Sequence, residues 1–330
     1  MKRSEIIQKL VELGKLLHVE NEELNAVISK TYFENNWLIK DNYHKAIDYW
    51  SKKLNENSLQ NFVRSYDLTK APKNVGIIMA GNIPMVGFHD LLCVLLSGHH
   101  AEVKPSSDDK HVTTYICRKL SEFGLRIKVV DKIENIDAVI ATGSNNSFKY
   151  FQHYFGAKPN LLRKNRKSLA ILNGNESSEE LKLLGKDVFE YYGLGCRNVS
   201  LIMLPRSSSI TDVLDQLMHY KDIGLHNKYA NNYTYHRAML LMNSEEHLDT
   251  GFLLVKKSNS LYAPLSCIHY YYYDDIAEID TFISQNKENI QCIVGNYSEV
   301  ENIPFGKAQE PELEDFADKI DTMSFLENLA

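Results

Sequence analysis

From Asn74 onward the chain alternates short β-branched runs with amphipathic segments, and that alternation restricts it to very few folds. Val75 to Met79, Ala101 to Lys104, Arg126 to Val130 and Ile136 to Ala141 have the character of strands. Met85 to Leu96, His111 to Phe123 and a segment opening near Asn145 carry helical periodicity. A strand, a crossover helix and a second strand build a parallel sheet covered on both faces, a Rossmann-like arrangement. The pattern then recurs: a strand over Ser168 to Leu172, a helix over Ser177 to Tyr191, and a strand over Val199 to Leu204 closed by Pro205. Helices are expected over Ile210 to Tyr220 and Tyr229 to Met242, with further strands at Phe252 to Lys256, Cys267 to Tyr273 and Ile290 to Val294. The run Tyr270 to Tyr273 fits a strand with one tyrosine face inward and one outward. Ahead of all this, Ile6, Leu10, Leu13 and Leu17, then Tyr43, Ile47, Trp50 and Leu54, recur at helical spacing. The first seventy residues are therefore expected to be helical, without evident chemistry. With 330 residues the chain can bury more than one core, and the first domain is expected to end near Lys167.

Charge and cysteine usage exclude several classes. The formal net charge of -6 gives no global attraction to phosphate backbones, so no nucleic acid partner is expected. No stretch is apolar for long enough to span a bilayer, and Met1-Lys2-Arg3-Ser4-Glu5 leads into an amphipathic pattern. The expectation is a cytoplasmic protein with no membrane span. Five cysteines, at 93, 117, 196, 267 and 292, are odd in number and widely spaced, which argues against a disulfide framework. His99, His100, His111, His153 and His226 lack metal-ligand spacing, and no metal is expected.

Four of the cysteines fit as small hydrophobes: Cys93 and Cys117 in helices, Cys267 and Cys292 in strands. Cys196 differs. It lies in Tyr192-Gly193-Leu194-Gly195-Cys196-Arg197-Asn198, after a helix and before a strand, where glycines let backbone approach a ligand and Arg197 offers a charge to a thiolate. A second segment, Ala80-Gly81-Asn82-Ile83-Pro84-Met85, sits at the carboxyl end of a strand, the edge where ligands collect in open α/β sheets. Asn82 is either a donor to a developing oxyanion or a cap of the following helix. Lys104 ends the next strand, within Val103-Lys104-Pro105-Ser106, and Thr142-Gly143-Ser144 joins another strand to a helix. An ammonium at 104 suits a ribose or phosphate, and backbone N–H groups after Gly143 suit a pyrophosphate. Taken alone, the Lys104 segment is better explained as an ordinary strand-to-helix loop, and helix capping explains the 142–144 segment equally well. Arg163-Lys164-Asn165-Arg166-Lys167 is either a phosphate contact, with Arg166 best shaped for it, or a solvated surface turn.

Taken in order, these segments resemble the aldehyde dehydrogenase superfamily. Asn82-Ile83-Pro84 looks like its Asn-aromatic-Pro, Val103-Lys104-Pro105-Ser106 like its Leu-Lys-Pro-Ser, and Thr142-Gly143-Ser144 like its Thr-Gly-Ser. Leu172-Asn173-Gly174 is a degraded likeness of Glu-Leu-Gly-Gly, Gly195-Cys196 falls at the catalytic Gly-x-Cys, and Pro304-Phe305-Gly306 resembles the Pro-Phe-Gly near the C-terminus. The likeness runs from about residue 74 to 306. Within the superfamily the chain is most similar to the LuxC-type acyl-CoA reductases, through Gly81-Asn82-Ile83-Pro84, the segment 192–200 and Asp318-Lys319-Ile320-Asp321-Thr322-Met323.

The resemblance implies an α/β, aldehyde dehydrogenase-like fold. It places a helical segment plus nicotinamide-cofactor domain at 1–167, a catalytic domain at 168–305, and a C-terminal segment at 306–330 that can return to the first. It implies Cys196 as nucleophile and Asn82, with the Cys196 N–H, as oxyanion donors. Lys104, Ser106, Gly143, Ser144 and Arg166 would hold NADPH, or NADH. The implied reaction is reduction of an acyl-CoA, or an acyl group on a carrier, to an aldehyde through an acyl-cysteine, in a possible homo-oligomer. Two departures matter. The hydrolytic family's base aligns with Ile171, and without it water is a poor acceptor. Glu176, the nearest downstream carboxylate, is expected at a helix start, and the family's ribose-holding glutamate aligns with Ser260. Those losses keep two rivals open: an acyl-CoA-binding scaffold, and cofactor-independent acyl transfer from the same cysteine.

Overall fold

A computed structural model describes residues 1–67, 71–297 and 301–329 of the protein. It divides into two compact units, one of residues 1–165 and 312–330, the other of residues 166–311.

The first unit opens with four helices, α1 (Arg3–Leu16), α2 (Glu22–Glu34), α3 (Lys40–Lys53) and α4 (Glu56–Val63). Their apolar stripes are buried, with Leu10, Leu13, Tyr43 and Leu59 all at 0% exposure. Next come β1 (Asn74–Ile78), α5 (Phe88–Leu96), β2 (His100–Lys104), α6 (Lys110–Glu122), β3 (Ile127–Val129), β4 (Ala138–Thr142), α7 (Asn145–Phe155) and β5 (Asn160–Arg163). The sheet is wholly parallel in the order β3-β2-β1-β4-β5. Both its faces are covered, as an all-parallel sheet requires. Val75, Ile77, Val103 and Ile140 pack toward the helical core, whereas Val139 and Ala141 face a cluster with Phe151 and Phe155 of α7. α5 is buried almost all round, so it reads as apolar on every side. Cys93 and Cys117 are buried, and burial raises both thiols, Cys117 to about 12.

The second unit comprises β6 (Lys167–Ile171), α8 (Ser178–Phe189), β7 (Val199–Pro205), α9 (Ile210–Leu217), α10 (Asn227–Met242), β8 (Leu248–Asp249), β9 (Leu254–Lys257), β10 (Cys267–Tyr273), α11 (Ile276–Asn286) and β11 (Ile290–Gly295). Its sheet runs β11-β6-β7-β10-β9-β8, parallel except for the β8–β9 pair. Leu169, Ile171, Leu201 and Met203 face α11, while Ala170, Leu172, Ile202 and Leu204 face α8 and α9. Both faces of the sheet are packed, so neither tyrosine face of β10 is turned wholly to solvent, although only Tyr273 of the four is buried. Tyr270 and Tyr272 join one core with ring centroids 5.5 Å apart, and Tyr271 and Tyr273 join the other. The expectation of one outward face is corrected accordingly.

The segment 312–330 belongs to the first unit and carries α12 (Thr322–Glu327). Arg163, at the end of β5, is only 2% exposed; it donates to Asp90 Oδ2 at 2.6 Å and to Thr322 Oγ1 at 2.8 Å. The basic run 163–167 is therefore not a uniform surface turn: its first member is a buried tie between β5, α5 and α12. His99 Nε2 also meets the Leu326 carbonyl at 3.1 Å. Four elements lie outside the pattern-based expectation: β5, β8, α11 and α12. β5 is only four residues long and ends in an arginine, and α11 follows a capping box formed by Asp275 and Glu278.

Candidate active site

In the first sheet the chain moves from β1 to β2 and β3 on one side, then returns to add β4 and β5 on the other. The loops after β1 and β4 thus flank a topological switch point, where open α/β sheets bind ligands. The sequence-expected residues Asn82, Lys104, Ser106, Gly143 and Ser144 all follow or end strands at this carboxyl edge. The loops are tightly seated. A Cβ on Gly81 would stand 2.6 Å from Ser106 Cβ, and one on Gly143 would stand 2.9 Å from Ser147 Cβ. Ser144 caps α7, accepting from the Ser147 N–H at 3.2 Å, so the opening turn of an eleven-residue helix presents its backbone N–H groups at the switch point. Ser106 accepts from the Asp108 N–H at 3.3 Å.

Asn82 is exposed and does not cap a helix. α5 begins at Phe88 with Gly87 as its N-cap, so the capping alternative and a helix start at Met85 are both corrected. The loop is held from elsewhere. Met85 adopts a left-handed conformation (φ 56°) and donates its N–H to Asp109 Oδ2 at 3.1 Å, while Tyr43 donates its hydroxyl to Asp109 Oδ1 at 2.5 Å. Burial pushes the Asp109 carboxyl up to about 7 and raises the Tyr43 phenol. The N-terminal helices, featureless in sequence, thus brace the Asn82 loop through Tyr43.

In the second unit Cys196 sits in the loop from α8 to β7, half-buried, whereas Cys292 is buried. The loop is built by backbone strain and one asparagine. Tyr191 (φ 52°), Tyr192 (φ 60°) and Gly193 (φ 75°) are successively left-handed, at roughly 1–2 kcal/mol for each non-glycine residue. Asn198, 1% exposed, compensates. Its Oδ1 accepts from the Gly195 N–H at 2.8 Å, and its Nδ2 donates to the carbonyls of Asp187 (3.0 Å), Val188 (3.3 Å) and Glu190 (2.9 Å), closing the end of α8. Ser168 of β6 donates its hydroxyl to the Cys196 carbonyl at 3.0 Å. Arg197, expected to serve the thiolate, donates its Nε to the Ala308 carbonyl at 2.6 Å. Asp187 accepts from the N–H groups of Gly306 (2.6 Å) and Ala308 (2.9 Å), so the Pro304-Phe305-Gly306 segment is tied to α8; burial raises this carboxyl to about 6.

A further cation beside this loop belongs to the run 163–167, which the sequence left open between a phosphate contact and a surface turn. Lys167, at the start of β6, lines a cavity of about 30 Å³, room for one water molecule, together with Tyr192, Gly193, Asn198, Tyr229 and Cys267. Burial lowers its ammonium and the Cys196 thiolate opposes that shift. Arg166 belongs to the same unit and donates to the Ile290 carbonyl at 3.4 Å. Ile171 ends β6 with a side chain 2% exposed. Glu176 is not at a helix start: it accepts from the N–H groups of Asn173 (2.6 Å) and Gly174 (3.0 Å), while Ser177 and Glu180 cap α8. The Ser260 carbonyl meets His269 Nδ1 at 2.7 Å. Among the described residues, no group of three or more His, Cys, Asp or Glu side chains is arranged to hold a metal ion, and no helix is long and apolar enough to cross a membrane.

This architecture is the aldehyde dehydrogenase fold. An aldehyde dehydrogenase from Bartonella henselae is similar over 90% of this chain and 74% of its own, with 11% identity and a TM-score of 0.68. An NAD-dependent aldehyde dehydrogenase from Sinorhizobium meliloti is similar over 91% of this chain and 71% of its own, with 12% identity and a TM-score of 0.67. A Bacillus cereus aldehyde dehydrogenase solved as an NAD+ complex matches 91% of this chain and 73% of its own, at 14% identity and a TM-score of 0.64. No family model and no curated protein matches the sequence.

Proposed function

We propose that this protein is a nicotinamide-dependent oxidoreductase of the LuxC type, which reduces an acyl-CoA, or an acyl group on a carrier, to an aldehyde through an acyl thioester on Cys196. The observation that carries the reading is a half-buried cysteine in the α8–β7 loop of an aldehyde dehydrogenase fold, in which Ile171, the residue the resemblance aligns with the hydrolytic base, is buried. The nearest downstream carboxylate, Glu176, is engaged by its own turn. A thioester formed here lacks the base that would direct water against it, which favours its reduction.

Each residue has a stated part. Cys196 attacks the acyl carbonyl, and the carbon–sulfur bond to the leaving thiol breaks. Asn82 and the Cys196 N–H are the donors to the oxyanion, a role taken from the resemblance. Lys104, Ser106, Gly143 and Ser144 fit a dinucleotide: they line the switch-point edge, where an ammonium and the opening turn of α7 suit phosphate charge. Arg166 is proposed to meet the extra phosphate of NADPH, the preferred cofactor, with NADH the alternative. A bound nicotinamide supplies the hydride that reduces the thioester.

The test is intact-protein mass after incubation with a long-chain acyl-CoA, for the wild type and Cys196→Ala, followed by NADPH. An adduct that requires Cys196 and disappears as aldehyde forms supports the proposal. An adduct that passes to an acceptor without NADPH and without aldehyde replaces it with acyl transfer, the outcome that Ser260 at the ribose-holding position would favour. No adduct on folded protein removes Cys196 as nucleophile.

A further inference from the structure

We propose that Lys167 is the base and counter-ion of Cys196: its amine takes the thiol proton, and the resulting ammonium holds the thiolate ready to attack. This rests on the acyl-cysteine reading and deepens it by assigning a positioning residue that acts through the nucleophile.

Three observations converge on Lys167. The Ser168 hydroxyl, one residue along, donates to the Cys196 carbonyl at 3.0 Å, so the start of β6 and the nucleophile loop are in contact. Parallel pairing of Ser168 with Val199 fixes this register, because Val199 follows the loop directly. Lys167 then lines the small cavity whose other walls include Tyr192 and Gly193 before Cys196 and Asn198 after it. The strand puts consecutive side chains on opposite faces, so Ser168 grips the backbone of residue 196 while Lys167 turns into the cavity.

The electrostatics agree with that placement. Burial disfavours the Lys167 ammonium, and the Cys196 thiolate is the group that restores it. Burial makes a lysine readier than an exposed one to take the neutral, proton-accepting form. The other titratable groups around the cavity do not compete. Burial raises Cys267 on β10, to about 12, and also raises Tyr229 on α10, so both stay neutral. Tyr192 belongs to the loop itself, with its ring centroid 4.3 Å from that of His226. Cys292 on β11 is buried and meets the Ser168 hydroxyl at 3.1 Å. Arg197, the adjacent cation in sequence, is committed through its Nε to the Ala308 carbonyl.

The step balances. The Cys196 S–H proton moves to Lys167 Nζ, leaving a thiolate and an ammonium. The thiolate forms a bond to the acyl carbon, the bond from that carbon to the departing sulfur breaks, and the ammonium returns its proton to the leaving thiolate. The acyl-enzyme then faces a neutral amine; reduction of the thioester would release the aldehyde and the Cys196 thiolate, which would regain a proton from solvent before the next turnover.

The test is the pH dependence of Cys196 alkylation by iodoacetamide, read by peptide mass, in the wild type, Lys167→Met and Lys167→Arg. Because it needs no substrate, it separates from the acyl-CoA reading: a Lys167-dependent thiol titration with no acyl adduct would sink that function and leave this pairing intact. The wild type is expected to titrate below the free-thiol value of about 8.5. In Lys167→Met the midpoint should rise by about one pH unit or more, slowing alkylation at pH 7 about ten-fold, since only the thiolate reacts. Lys167→Arg should retain the low midpoint, because the cation persists. A wild-type midpoint at or above about 8.5, or superimposable profiles for wild type and folded Lys167→Met, would overturn the proposal. The wild-type result decides even if the methionine variant does not fold.

Discussion

Replacing Asn198 with alanine should cost the protein far more than a single polar contact. The side chain, 1% exposed, accepts from the Gly195 N–H and shares its two Nδ2 hydrogens among the carbonyls of Asp187, Val188 and Glu190. Gly195 is itself buried, and Asp187 and Val188 lie in the last turn of α8, so neither their carbonyls nor that N–H has an easy route to water. Glu190 is less enclosed and can recover a partner. Counting the Gly195 N–H and one helix carbonyl as stranded, at about 1–3 kcal/mol each, gives a loss of roughly 2–6 kcal/mol. Asn198→Asp keeps the acceptor for Gly195 but sets a carboxylate against carbonyls at the negative end of a helix, so it should lose at least as much at pH 7. Equilibrium urea unfolding measures both. The same variants should give a weaker acyl adduct on Cys196, since the loop is no longer fixed. A loss under about 1 kcal/mol for Asn198→Ala, the low end for a single stranded group, would refute the idea that this one side chain holds the loop.

Three further outcomes follow from the packing. Arg163→Met should destabilise by about 3–5 kcal/mol by leaving Asp90 charged and buried alone, and Arg163→Met with Asp90→Leu should recover much of that, as read by thermal or urea unfolding. Asp109 and Asp187 have folded carboxyls raised to about 7 and about 6 from an ordinary 3.8, so the folded state binds more protons. Their stabilising contribution is complete below about pH 4 and is lost as pH rises through 6 to 7, by at most roughly 4 kcal/mol for Asp109; Asp109→Asn should flatten the slope of stability over that window. Gly295→Ala should cost at least about 2 kcal/mol, because its φ of 137° is closed to alanine and the new Cβ would stand 2.3 Å from the Ile171 carbonyl oxygen; unchanged unfolding would contradict this β6–β11 register.

The amino-acid order by itself determined the local faces. Alternation of Val75, Ile77 and Val103 with crossover helices announced a parallel sheet, and the position of Cys196 between a helix and a strand followed from α8 and β7 being legible on either side. Helical spacing foretold α1 and α3, and the Asn82, Lys104, Gly143 and Ser144 segments were placed after or at the ends of strands. These features depend on spacings of two and three to four residues, which the chain carries within itself.

Tertiary structure decided the partners. The switch point between β1 and β4 exists only once the strand order is β3-β2-β1-β4-β5, and no local period encodes that order. Arg163 looks like surface charge until β5 carries it against Asp90 and Thr322. Tyr43 looks like core until Asp109 arrives to receive its hydroxyl and hold Met85. Arg197 stands next to Cys196 in the chain yet commits its Nε to Ala308, whereas Lys167, twenty-nine positions away, is brought beside the Cys196 loop by the pairing of β6 with β7. Neighbours along a strand point to opposite faces, while neighbours across a sheet share one, so the contacts that tune a site are set by register and crossover, which the local pattern does not contain.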